Sequence, residues 1–405
     1  MSTPVAELTL PTYEPIARRN RGMTRDEIED YRQQHWMVQV PFGYQLLDHD
    51  DCIAVLKDKR WHQAIRLVTA MSGITDEEYL ARRQRTSILS AEGDEHQRLR
   101  RLVSGAFTPR SADRLRPFMR EVINDLLDRV TPSGRCELVN DVCDPYPIPI
   151  VCELLGAPKE DWELFSRWAT DIFKSFDADV AEHTKTIMAA SDAMDAYVAD
   201  LIAARRDDPR EDLLSDLIAA EEEGDRLSTE ELVMLAEAVL LAGTDTTRNQ
   251  LACALAVFAE HPDQWAMLAE HPELAPRAAE ESLRYLGAVR GTGRFASEDI
   301  EYRDILFPQG TLVFPNFVAA NNDPSRFDTP GEFDITAQRE STHLTLGFGL
   351  HYCLGANLAR AELQEALVIM SQRMPNLRLD GEPVYKPAGV GIWGPASLPL
   401  AFDPT

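Results

Sequence analysis

The chain has 405 residues, 44% of them hydrophobic, and carries 41 Lys and Arg against 67 Asp and Glu, a formal charge of −26. An acidic surface repels nucleic acid and anionic membranes, so neither is an expected partner. No apolar run of about 18 residues is present, and residues 1–15 lack the basic and apolar segments of a secretory signal. Six cysteines without Cys-x-x-Cys spacing are too few for a disulfide scaffold. We therefore expect a cytoplasmic protein with reduced thiols.

The first half of the chain is predicted to be mixed and then helical. Residues 36–40 and 44–47 are predicted strands around the Phe42-Gly43 turn, and a helix is expected from Asp50 to Lys57. From about residue 95 to residue 216 the pattern is mainly helical, with loops expected at 131–134 and 144–149. No linker or internal repeat is visible, so residues 1–405 are predicted to form a single domain.

The clearest predicted element is a long buried helix. Ser228-Thr229-Glu230-Glu231 is a capping box, and residues 232–258 are apolar on nearly every face before His261-Pro262. Further helices are expected at 277–286 and 356–373, with a strand at 311–314 and an irregular stretch over 321–339. The predicted fold class is mainly α with small β-sheets, β-rich at 1–60, about 300–320 and 380–405.

The segment around Cys353 carries the strongest chemical signal. Gly347 and Gly349 permit a tight turn before the cysteine, and Gly355 lets backbone N–H groups approach the sulfur. A helix that begins near Ala356 directs its positive end at the same place and favours a thiolate. Such an anionic sulfur suits a haem iron, although most cysteines are simply buried, inert thiols.

The loop resembles the haem-binding loop of the cytochrome P450 family, Phe-x-x-Gly-x-His/Arg-x-Cys-x-Gly. Gly349, His351, Cys353 and Gly355 match it, and the resemblance implies that Cys353 is the axial ligand of the iron. Leu346 stands where the family has Phe, which implies altered packing at the sulfur and an altered iron potential.

A second signature is the Glu-x-x-Arg pair Glu281 and Arg284. Alone it would be a solvated pair worth tenths of a kcal/mol, but the resemblance implies a buried structural ion pair. The family's third member is an arginine where this chain has Glu332, so either Arg326 or Arg339 is expected to substitute.

A third signature lies at the centre of the long helix, Ala242-Gly243-Thr244-Asp245-Thr246-Thr247. These residues are poor helix formers and a buried charge is costly, so a packed kink with hydroxyls bonded back to carbonyls is one interpretation. The segment resembles the family's Ala/Gly-Gly-x-Asp/Glu-Thr-Thr motif. The resemblance implies that Asp245 relays protons, Thr246 hydrogen-bonds the reduced dioxygen, and Gly243 leaves room for it.

Four basic side chains resemble the family's haem-propionate ligands. His96 and Arg100 lie four residues apart and thus on one helical face. Arg294, ten residues after Arg284, and His351 in the cysteine loop match the other two family positions. Alone, each would be ordinary surface charge.

The resemblance implies a triangular single-domain prism with a long central helix over the haem. It implies a monooxygenase that binds haem b, uses dioxygen, and oxidises a hydrophobic small molecule such as a lipid, terpenoid, steroid or carboxylate-bearing compound. No flavin or iron–sulfur motif is present, so electrons are expected from a ferredoxin with its reductase. They are expected to enter at a basic patch of Arg98, Arg101 and Arg360. A monomer is expected.

By family position, the substrate pocket is expected to be lined by Ala242, by 289–293 with Val289 and Arg290, and by the 391–393 turn with Ile392 and Trp393. Residues 61–90 are expected to form a lid. Arg290 is unusual in a stretch that is apolar in the family. It is predicted either to pair with a substrate carboxylate or to face solvent or a propionate.

Three rival functions remain at this stage. A haem-thiolate sensor or carrier would not need Asp245 and Thr246, and peroxygenases driven by hydrogen peroxide tend to lose that pair. A haem-free helical binding protein leaves the glycine-flanked Cys353 unexplained.

Overall fold

A computed structural model describes residues 2–14, 22–65, 67, 76–78, 87–176, 180–222, 227–387 and 392–405. The predicted lid, residues 61–90, lies largely outside these ranges. The helices are, in chain order, α1 (Arg25–Gln34), α2 (His49–Lys57), α3 (Gly93–Ser104), α4 (Pro109–Val130), α5 (Pro147–Leu155), α6 (Trp162–Phe173), α7 (Val180–Asp207), α8 (Leu213–Glu222), α9 (Thr229–Glu260), α10 (Pro262–Glu270), α11 (Ala275–Tyr285), α12 (Phe317–Asn321) and α13 (Ala356–Arg373).

The strands are short and mostly follow or precede this helical block. They are β1 (Thr3–Pro4), β2 (Met37–Val40), β3 (Gly43–Leu46), β4 (Trp61–Gln63), β5 (Arg135–Glu137), β6 (Arg294–Ala296), β7 (Ile300–Tyr302), β8 (Ile305–Phe307), β9 (Leu312–Pro315), β10 (Arg378–Leu379), β11 (Val384–Tyr385), β12 (Pro395–Ser397) and β13 (Pro399–Ala401). The largest sheet has the order β2-β3-β9-β6-β4, and its β6 strand pairs Arg294 with both Val313 and Gln63.

Helix α9 is the centre of the fold. The capping box forms as predicted: the Ser228 hydroxyl accepts from the Glu231 amide at 3.2 Å, and the Ser228 amide donates to the Glu231 carboxylate at 2.8 Å. The helix has 32 residues, about 48 Å at about 1.5 Å per residue. It packs against α5, α6 and α7, and also against α10, α11 and α13. It therefore contacts helices from both halves of the chain.

Helix α13 occupies the other side of the site. It packs on α4, α10 and α11, and its buried face belongs to the main apolar cluster around Phe258 and Trp265. Within the described ranges, no helix combines the length and apolarity that a bilayer crossing requires.

The fold class and most predicted elements are confirmed. The predicted helix 356–373 matches α13, and the predicted strands near residue 40 form the antiparallel pair β2–β3. The loop predicted at 144–149 is wrong in its second half, because α5 begins at Pro147, where a proline is well tolerated in the first turn.

Candidate active site

The Cys353 loop adopts the tight turn that its glycines predict. Gly347 and Gly349 have φ of 73° and 71°, which a residue with a Cβ adopts only at a cost. At Gly349 a Cβ would also lie 2.2 Å from the Leu56 carbonyl oxygen. The loop closes where the Cys353 amide donates to the Leu346 carbonyl at 2.8 Å. Helix α13 begins three residues after the cysteine, with Gly355 as its N-cap.

Opposing effects act on the pKa of the Cys353 thiol. Burial raises the pKa of the thiol, while the Gly355 amide and the Arg100 and Arg360 charges lower it. The predicted approach of backbone N–H groups to the sulfur is confirmed. Burial outweighs these effects, so the net shift of the thiol pKa is upward; a metal ion held here would favour the thiolate.

Basic side chains from three segments converge beside this loop. His96 is buried, and its ring centroid lies 4.3 Å from that of His351. Arg100 donates to the Tyr352 carbonyl at 2.6 Å, and the buried Arg294 donates to Thr292 and to its own neighbour's carbonyl, each at 2.9 Å. All four predicted propionate ligands therefore lie on the walls of one site.

This basic cluster fits the two carboxylates of a haem. Burial and the charges of His351 and Arg100 lower the pKa of His96 to about 4, and burial lowers that of Arg294 to about 10. Nδ1 of His96 is buried without a partner in the described structure. The acid in the cluster is Glu92, which lies 3.2 Å from His351. Anionic groups placed here would supply the missing charge and acceptors.

The central turn of α9 interrupts the burial of that helix. Ala242 is exposed and Thr246 half-buried, although their helix is otherwise largely buried. The Thr246 hydroxyl donates to the Ala242 carbonyl at 2.8 Å, and Thr244 donates to Leu240 at 2.6 Å. The back-bonding hydroxyls agree with the structural interpretation of this motif, yet the helix runs unbroken from Thr229 to Glu260.

Comparison with known proteins identifies the family. The sequence profile of cytochrome P450 matches residues 157–375, just over half of the chain. The luteothin monooxygenase of Streptomyces thioluteus is 35% identical over 381 residues, which cover 93% of this chain and 92% of that protein. The structure of P450BioI in complex with hexadec-9Z-enoic acid-ligated acyl carrier protein matches with a TM-score of 0.85 at 33% identity, covering 93% of this chain and 98% of that one. The myxobacterial CYP267B1 in complex with myristic acid matches with a TM-score of 0.83 at 32% identity, covering 93% and 96%.

The chain belongs to the cytochrome P450 family. It is a haem-dependent monooxygenase of small molecules, which uses dioxygen and electrons from a redox partner. The comparisons give no support to the sensor, carrier or peroxygenase alternatives.

In this P450, Asp245 is held by cations. It is buried and forms an ion pair with Arg248 one turn later, and Lys386 Nζ lies 4.0 Å from its carboxylate. Arg248 also lies 3.5 Å from Asp144. Asp245 is therefore part of a charged network that was not predicted, since Lys386 comes from the distant segment directly after β11.

The structure gives Gly243 a packing role that was not predicted. A Cβ at Gly243 would lie 2.3 Å from Cγ2 of Val151 on α5, so the glycine is required for close packing of α5 on α9. Its missing side chain faces that helix contact; the expectation that it also leaves room for oxygen stays a prediction. Gly355 is the opposite case, because a Cβ there would meet no atom within 4 Å.

The third member of the structural ion cluster is Arg339. Its guanidinium donates to the buried Glu281 carboxylate at 2.8 and 3.2 Å, beside Arg284 at 2.7 and 2.8 Å. The other candidate, Arg326, pairs with Asp50 at the surface. Arg284 also donates to the carbonyls of Pro330 and Glu332, which explains how the cluster tolerates Glu332 in place of the family's arginine.

A buried acid was missed by the sequence analysis. Glu362 on α13 is 1% exposed and accepts from the Thr247 hydroxyl at 3.1 Å, while its Oε1 is buried without a partner in the described structure. Burial raises its pKa to about 8, so the carboxyl is mostly protonated at neutral pH. The signal was available, because Glu362 lies at helical spacing between the buried Leu358 and Ala366.

The predicted pocket wall assembles from two chain segments. Val289 and Ile392 pair as an isolated antiparallel bridge, and the Trp393 amide donates to the Ala288 carbonyl at 2.8 Å. Arg290 lies over the Trp393 ring, 4.5 Å from its centroid. Gly391, at the start of this predicted turn, lies outside the described residues.

The predicted basic patch is largely neutralised. Arg98 is paired with Glu231, and Arg360 donates to both carboxylate oxygens of Glu280, at 2.6 and 3.0 Å. Arg101 alone of the three is exposed without an ion pair in the described structure.

Proposed function

We propose that this P450 inserts one oxygen atom of dioxygen into a C–H bond of an apolar molecule, and that Cys353 would hold the haem iron through its sulfur. The observation that carries the proposal is the arrangement of Cys353 with His96, Arg100, Arg294 and His351, which supplies a thiol for iron and donors for two propionates. When bound, the haem supplies the redox chemistry that activates dioxygen.

Side chains of α9 and α13 can transfer protons to the site. The Thr246 hydroxyl, on the central turn of α9, can release its bond to the Ala242 carbonyl and donate into the pocket. Asp245 precedes it and can exchange protons with solvent through the charged network of Arg248 and Lys386. Glu362 holds a proton one hydrogen bond from Thr247. Together they deliver protons while the buried surroundings exclude bulk water.

We further propose that electrons come from a ferredoxin docked beside the cysteine loop. Asn357, at the start of α13, donates to the Phe107 carbonyl at 3.0 Å. This hydrogen bond places the cysteine loop next to the chain segment that carries the exposed arginines after Phe107. Arg101 of the predicted patch is exposed there together with Arg110 and Arg114, which take the place of the paired Arg98 and Arg360. An acidic ferredoxin would be steered to them. The cytoplasmic location and the monomeric state stay predictions.

The deciding experiment is the absorption spectrum of the reduced, carbon-monoxide-bound protein, in which thiolate ligation moves the main band far to the red. Wild-type protein should show that band, and Cys353→Ser should lose it while keeping its far-ultraviolet circular dichroism. Thr246→Val should keep the band but release more hydrogen peroxide per electron pair, because the hydroxyl that directs proton delivery is then missing. An unchanged spectrum in Cys353→Ser would refute the proposal.

A further inference from the structure

Two arginines hold Tyr352, the residue directly before Cys353. Its backbone carbonyl accepts from Arg100 at 2.6 Å, and its phenol oxygen accepts from Nη1 of Arg360, on α13, at 2.8 Å. Burial raises the pKa of the Cys353 thiol, and the charges of both arginines oppose this effect. Each guanidinium therefore brings positive charge close to the sulfur.

The two guanidinium groups differ in their counter-ions. Among the described residues no carboxylate pairs with Arg100, which is a proposed propionate ligand. Arg360 has a carboxylate partner of its own on α11, because its Nε and Nη2 donate to the two oxygens of Glu280 at 2.6 and 3.0 Å. The positive charge of Arg360 is therefore balanced by the protein rather than by the cofactor.

Glu280 is held as an anion. Its Oε2 lies 3.3 Å from Nε2 of the buried His343. Burial raises the pKa of Glu280, but the contacts with His343 and Arg360 outweigh it and lower the pKa to about 2. The same pairing raises the pKa of Arg360 above its usual value. Both members of the pair are therefore fully charged at neutral pH.

The guanidinium of Arg360 lies between its counter-ion and the cysteine loop. Its Nε–Nη2 edge faces Glu280, whereas Nη1 points to Tyr352. Arg360 shifts the pKa of the Cys353 thiol, and Glu280 is not among the described groups that do so. The positive member of the pair is therefore nearer to the sulfur than the negative member.

We infer that Arg360 raises the reduction potential of the haem iron by its charge beside Cys353, and that Glu280 limits this rise. The inference rests on the proposed function, in which Cys353 holds the iron. A positive charge near the sulfur stabilises the electron that the iron gains, and surroundings of low dielectric constant strengthen its effect. The pair therefore sets how readily the enzyme accepts electrons from its redox partner.

The test is a spectroscopic redox titration of the haem-loaded protein, which needs neither substrate nor redox partner. Arg360→Gln removes the positive charge, Arg360→Lys keeps it, and Glu280→Gln removes the negative charge. The matched control is Arg373→Gln, because Arg373 is also a paired arginine of α13, bound to Asp128 about 20 Å farther along the helix. The reduced, carbon-monoxide-bound spectrum of each protein reports whether thiolate ligation is retained.

At a fixed applied potential, Arg360→Gln should lower the ratio of ferrous to ferric protein about tenfold, which is about 59 mV for one electron. Glu280→Gln should raise the ratio by a smaller factor, about threefold, because its charge lies farther from the sulfur. Arg360→Lys and Arg373→Gln should stay within about twofold of wild type, since the first keeps the charge and the second is remote.

Three results would overturn the inference while the carbon-monoxide band leaves the proposed function standing. They are an unchanged potential in Arg360→Gln, equal falls in Arg360→Gln and Arg360→Lys, and a potential that does not rise in Glu280→Gln. Should Arg360→Gln lose the band, Glu280→Gln decides alone, because it leaves the arginine in place. A wild-type protein without the band would overturn the inference and the proposed function together.

Discussion

Replacement of Glu362 by Gln tests whether this buried acid holds a proton. The raised pKa means that the folded protein keeps a proton which the unfolded chain releases, so stability should fall as pH rises from about 4.5 to about 8. Linkage between those two values gives a loss of about 1 kcal/mol at pH 5 and about 4 kcal/mol at pH 8. Gln cannot ionise and still accepts from Thr247, so the variant should escape this loss.

The assay is the thermal midpoint of wild type and Glu362→Gln at pH 5, 6, 7 and 8. The variant should gain on wild type by about 3 kcal/mol across this range, which for a chain of this length is about 3–6 °C. Glu365 lies on α13 like Glu362 and is paired with Arg116 and Arg120 of α4. The variant Glu365→Gln therefore controls for a general loss of charge from α13. A difference between Glu362→Gln and wild type that does not grow with pH would refute the reasoning.

Three further predictions follow from the site. Asp245→Asn should slow turnover about 100-fold and enlarge the solvent isotope effect, whereas Asp144→Asn, which touches the same Arg248, should change neither. Arg339→Gln should destabilise the protein by about 3 kcal/mol, because it leaves the Glu281–Arg284 pair incomplete; the surface Arg326→Gln should leave the melting temperature unchanged, and equal effects would contradict the assignment. Gly243→Ala should cost about 1–3 kcal/mol by overpacking on Val151, and adding Val151→Ala should recover much of the loss; lost oxygen binding at unchanged stability would instead favour the role first predicted.

Much of the site could be predicted from sequence because its residues lie in short local patterns. The cysteine loop, the capping box of α9 and the His96–Arg100 spacing each depend on residues within about ten positions. Local geometry then fixes which side chains share a face, and the structure agrees.

What sequence could not supply is contact between distant segments. The sequence does not distinguish Arg326 from Arg339 as partners of Glu281. Only the path of the chain after α12 brings Arg339 to Glu281. The packing of α5 on Gly243 was likewise not predicted, because it depends on the approach of a helix distant in sequence. The prediction of the basic patch missed contacts of the same kind, since Glu231 and Glu280 pair with Arg98 and Arg360 from other helices.

The hydrogen bond from Thr247 to Glu362 has a mechanical consequence. Helix α13 starts just after the sulfur-bearing loop, and two turns later its acid binds the residue next to Thr246. Polypeptide alone thus connects the cysteine loop to the central turn of α9. Porphyrins that carry manganese or cobalt in place of iron should therefore leave this connection unaltered, whatever the identity of the metal.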